Sequence, residues 1–141
     1  MASLRERLAR LGRELGEREA AHAAALDEAR RHAAALREDV ADALEGFREA
    51  AASAGAPHLA VQLGALRVDD KHVRAVEFDL LRGRHRAIVT VKSRGEVTLV
   101  GPFHAGKDEG PCKTFPFAAE VEIQKALGDF LERFLAEAAT P

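Results

Sequence analysis

The chain has no tryptophan and no tyrosine, and one cysteine in 141 residues. A lone thiol excludes an internal disulfide framework and fits a reducing compartment, so a cytoplasmic protein is expected. Six histidines accompany that cysteine, but no His-x-His, Cys-x-x-Cys or His-Glu-x-x-His spacing occurs. Neither a metal site nor a bound cofactor is therefore expected. No stretch approaches the roughly 20 apolar residues of a membrane span. The charged start, MASLRERLARLGRELGERE, lacks the apolar run of a secretory signal, so no membrane association is expected. A formal charge of −2 gives no general attraction to nucleic acid or acidic lipid.

Proline is also absent before Pro57, and what fills that space is helix former. Ser3 can cap an N-terminus, with Glu6 three residues on to complete a capping box. Alanine, arginine, glutamate and leucine then run on to Gly55 and Pro57, which mark a stop. Residues 1–54 are thus expected to be helical, spanning roughly 75 Å if continuous, with a break near Gly12 and Gly16 as the alternative. The rest of so short a chain cannot cover that length. Leu4, Leu8, Leu11 and Leu15 alternate steps of four and three, a coiled-coil seam. A second run, Leu26, Ala29, Ala33, Leu36, Val40, Ala43 and Phe47, repeats the step out of register. The expected partner is the same helix of a second chain, giving a homodimer joined through Leu4, Leu8, Leu11, Leu15, Leu26, Leu36, Val40 and Phe47. The alternative is a helix that lies across its own sheet with a free N-terminal end.

Between His58 and Phe103 the period changes. HLAVQLGALRVD, HVRAVEFDLLRG, HRAIVTVKS and EVTLVGPF are valine-rich and partly alternating, as strands are. Links as short as Arg82-Gly83-Arg84 force neighbouring strands antiparallel. The sequence predicts a four-stranded antiparallel meander. From about Ala118 to Ala139, Ile123, Ala126, Leu127, Phe130, Leu131, Phe134 and Leu135 recur at helical spacing, with acids on the other side. The fold class is therefore α+β: a long coiled-coil-like N-terminal helix, then a head over residues 55–141. In that head an amphipathic C-terminal helix packs on the sheet.

Chemistry-bearing residues gather in one stretch, GPFHAGKDEGPCKTFPF at 101–117. His104 and Cys112 are the only nucleophile-and-base pair close in sequence, and are the candidate catalytic residues. No third group that would orient the histidine is identifiable. The structural reading has Phe103, Phe115 and Phe117 pinning a long connector to the core. Charge offers another candidate. Eight cations and four acids lie between Arg67 and Arg94, and the turn LRGRHRA places Arg82, Arg84 and Arg86 together. With Lys107 they are the candidate contacts for an acidic protein partner. Nucleic acid is a less favoured partner, because no aromatic side chain accompanies the arginines for base stacking. The sequence reading is a non-enzymatic homodimeric interaction module. Its alternatives are a small-molecule or catalytic pocket near 101–117 and an accessory nucleic-acid binder through 82–86.

Overall fold

The computed structural model describes residues 1–69, 74–104, 106 and 110–140. Helix α1 (Leu4–Ser53) is a single 50-residue helix, unbroken at Gly12 and Gly16. Ser3 caps it by accepting the Glu6 amide at 3.2 Å. It ends where glycine permits a left-handed turn, at Gly55 with φ +94°. The Ala56 amide reaches back to the Ala51 carbonyl at 2.8 Å and the Gly55 amide to Ala52 at 3.0 Å. Those two bonds satisfy carbonyls that a helix end leaves open.

The strands are β1 (Gln62–Leu63), β2 (Arg67–Asp69), β3 (Ala75–Arg82), β4 (His85–Lys92), β5 (Glu96–His104) and β6 (Cys112–Pro116). Helix α2 (Glu120–Ala138) follows. All pairs are antiparallel, in the order β1-β3-β4-β5-β6, with β2 also on β3. The sheet has six strands where four were expected, for two reasons. The first strand segment splits into β1 and β2, because its pairing slips by one residue between Leu63↔Leu80 and Arg67↔Glu77. At that slip the Gly64 amide still reaches the Asp79 carbonyl at 2.8 Å. Its own carbonyl accepts from Arg37 of α1, also at 2.8 Å. The sixth strand comes from the stretch expected to be a loop: β5 runs on to His104 and β6 returns along it.

Both helices cover one face of the sheet. Helix α1 contacts β3 and β4, and α2 contacts β4 and β5. Val76, Phe78 and Leu80 of β3, Ala87, Val89 and Val91 of β4, and Val97 and Leu99 of β5 supply the sheet's side of the core. Helix α2 adds Ile123, Leu127, Phe130, Leu131 and Phe134 of the expected stripe, with Ala126 and Leu135 half-buried beside them and Ala138 buried beyond it. From α1 come Ala29, Ala33 and Val40, each fully buried, so the core runs into the long helix. Small alanines there let the helix axis approach the sheet closely. Complete burial of a large side chain such as Phe134 contributes about 1.5–3 kcal/mol.

Candidate functional site

Two places are exposed in ways the fold does not require. The first is the N-terminal part of α1. Every residue from Met1 to Ala21 is exposed, and His22 is the first that the head half-covers. This protruding stretch continues a helix whose other end is anchored, so it need not be nucleated alone. Along it Leu4, Leu8, Leu11 and Leu15 are 70%, 58%, 47% and 45% exposed. Four leucines at seam spacing thus face solvent in one line.

The remaining residues expected at that seam have another role. Val40 is fully buried, and Leu26 and Leu36 pack against the same core. Phe47 is half-buried and lines a recess of about 200 Å³ with Leu44, Leu59, Val61 and Leu63. Val40, Leu26 and Leu36 therefore serve the chain's own core, with Phe47 half-covered nearby. The out-of-register step between Leu15 and Leu26 marks where α1 changes from protruding to packed.

The arginine cluster at 82–86 is also divided. Arg82 donates to the Ala138 carbonyl, so it caps the C-terminus of α2. Arg86 pairs with Asp79 on the uncovered face, Nη2 to Oδ2 at 2.5 Å, with its guanidinium 5.9 Å from the Phe103 ring centroid. Only Arg84, exposed at the turn, keeps the character of a free contact. Lys107 lies outside the described residues.

The sequence did not single out the partners of Arg86. Arg67 bonds Glu77 at 2.9 Å and pairs with Asp79 at 2.5 Å, and Thr90 donates to Glu77 at 3.1 Å. Asp79, 6% exposed, sits between two guanidinium groups. Burial pulls the pKa of Arg67 down. The Asp79 hydrogen bond and the Glu77 and Asp79 charges outweigh it, leaving the group above its ordinary value. The legible signal was alternation in VEFDL, which puts Glu77 and Asp79 together on the face opposite Phe78.

His104 and Cys112 are not brought together. Cys112 pairs with Val100, four residues before His104, a separation of roughly 13 Å along a strand. His104 instead pairs with His85, ring centroids 4.9 Å apart and edge to face. The sheet register thus does not bring the two candidate residues together. The phenylalanines behave as pins: Phe103 is 7% exposed, and Phe115 and Phe117 pack against the core.

The second exposed place is a cleft of about 400 Å³ between β6 and α2. Leu99, Phe115, Ala126 and Phe130 supply apolar walls, with Cys112, Lys113 and Lys125 among the remaining lining residues. Among the described residues, no group of three or more His, Cys, Asp or Glu side chains could hold a metal ion. Nor is any helix there long and apolar enough to cross a membrane. No family model, curated protein or solved structure matches this chain.

Proposed function

We propose that this protein is a non-enzymatic interaction module that self-associates into a homodimer through the protruding part of α1, as a short coiled coil. One observation carries the reading: Leu4, Leu8, Leu11 and Leu15 form an exposed line on a helix that extends beyond its own core. A monomer would keep that apolar seam in water, whereas a second copy supplies the same seam to cover it. The head then remains free to meet another partner, and Arg84 at the β3–β4 turn is its available cationic contact. The exposed free thiol of Cys112 suits a cytoplasmic setting.

Light scattering on the full chain across a range of concentrations tests this. A dimer mass is expected, and the double variant Leu8→Glu, Leu11→Glu should return it to a monomer. Those side chains are exposed, so helix content and head unfolding should stay unchanged. A monomer mass at every concentration would refute the dimer.

The cleft between β6 and α2 favours a second reading, in which the head binds a small apolar molecule. Its apolar walls and a volume near 400 Å³ suit such a ligand. Fragment screening by NMR tests it: binding should shift signals of Leu99, Cys112, Ala126 and Phe130 together. Shifts scattered over the surface would count against the cleft.

A further inference from the structure

The protruding helix is polarised in charge as well as apolar on one side. Residues 5–13 carry Arg5, Arg7, Arg10 and Arg13 against the single acid Glu6. Residues 14–19 carry Glu14, Glu17 and Glu19 against Arg18. Two copies laid parallel would set basic half on basic half and acidic on acidic. Laid antiparallel, each basic half meets an acidic one.

The flanks of the seam point the same way. With Leu8 and Leu15 as a positions and Leu4 and Leu11 as d, the g positions are Arg7 and Glu14. The e positions are then Arg5, Gly12 and Glu19. In a parallel pair g meets the following e, which places Glu14 against Glu19 of the other chain and leaves Arg7 opposite a glycine. In an antiparallel pair g meets g, so Arg7 faces Glu14 twice over. Length fits as well. If Leu4 lies opposite Leu15 and Leu8 opposite Leu11, Met1 of one copy reaches Arg18 of the other. It stops before Glu19, whose carboxylate lies 3.8 Å from Arg74 of the head, and one turn short of His22. The overlap therefore uses the exposed stretch and ends before the described residues of either head.

Resting on the proposed dimer, we infer that the occupant of this leucine stripe is a second copy running antiparallel, with Leu4 opposite Leu15 and Arg7 paired to Glu14. The two heads then lie at opposite ends of a shared two-helix rod. No head-to-head contact is needed. The dimer then carries two separate copies of the sheet and of the β6–α2 cleft, one at each end of the rod.

Pulse electron-spin resonance on the full chain measures the orientation directly. Ala20 is exposed, so a spin label is placed there with Ala20→Cys in a Cys112→Ser background. Light scattering runs alongside. A dimer with labels about 30 Å apart is expected, because each label lies some ten residues from the centre of the overlap. Glu14→Arg should then weaken the dimer about tenfold, and adding Arg7→Glu should restore it. Labels within roughly 20 Å, with Glu14→Arg tightening the dimer, would overturn the antiparallel arrangement and leave self-association standing. A monomer at all concentrations would overturn both.

Discussion

His32 of α1 stacks on Phe117, the aromatic that leads into α2, with ring centroids 4.0 Å apart and planes 28° from parallel. Seven residues after Phe117, Gln124 of α2 donates to Asp39 of α1 at 3.3 Å. Together the two contacts tie α1 to the start of α2 and the residue leading into it, and they lie wholly in the packed part of α1. Among the described residues, the protruding part has no equivalent beyond the 3.8 Å approach of Arg74 to Glu19. The long helix thus divides by packing without dividing in secondary structure.

Removing the stack should loosen the junction between helices. His32→Ala is expected to cost about 1 kcal/mol, the range for an aromatic pair, read as a lower denaturant midpoint with an unchanged slope. Leu8→Ala, at an exposed position of the protruding helix, should leave the midpoint of a dilute sample nearly unmoved. Equal losses in both variants would mean that the exposed part of α1 carries stability in the monomer.

Much of the architecture was legible because it followed from periodicity. The stripe from Ile123 to Leu135 gave α2 and its buried face, and short links such as Ser93-Arg94-Gly95 gave antiparallel strands. Where α1 meets its sheet was harder to read. Leu26, Ala29, Ala33, Leu36 and Val40 have the spacing a coiled coil uses, and a helix on a sheet and a helix on a helix both need one apolar stripe. Sequence spacing cannot separate those covers. The extra strand was missed for a different reason. Gly101, Pro102, Gly110 and Pro111 signal a loop, yet the first two sit inside β5 at an irregularity of pairing between Arg86 and Ile88. The Arg67–Asp79–Arg86 cluster depends on a register that only the folded sheet defines.

Asp79 anchors that cluster, and its removal should be felt. In Asp79→Ala, Arg67 and Arg86 lose a shared carboxylate within the sheet. Because both guanidinium groups are partly solvated, the expected loss is modest, about 1–3 kcal/mol. Asp79→Asn, which keeps the shape and removes the charge, should recover only part of it. Chemical denaturation of the three proteins measures this. No loss in Asp79→Ala would mean water replaces the carboxylate at little cost.

Gly101 is a position where the backbone leaves no alternative. Its φ is +108°, and an added Cβ would lie 3.1 Å from the Arg86 carbonyl oxygen and 3.2 Å from the Ala87 Cα. The nearest atom is Cδ1 of the Phe103 ring at 3.0 Å, but the other two are backbone of β4, which cannot turn aside as a side chain would. Gly101→Ala should cost about 2 kcal/mol or more. Gly95→Ala shares the positive φ but meets nothing within 4 Å, so it should cost less. Thermal unfolding of both variants ranks them, and the reverse order would show that β4 gives way near Ala87.

The separation of His104 from Cys112 predicts that the thiol acts alone. Cys112 is exposed on the outermost strand, opposite Val100, and His104 is engaged with the His85 ring at the far end of β5. A histidine that activated the thiol would have to approach within hydrogen-bond distance of it. The sheet register instead holds them roughly 13 Å apart along the strand direction. The rate at which iodoacetamide alkylates Cys112 should therefore be the same in the wild type and in His104→Ala, at every pH between 6 and 9. A fall of about tenfold in the variant, confined to neutral pH, would restore the pair as a catalytic candidate. It would also require β5 and β6 to slide or part from the register that pairs Val100 with Cys112.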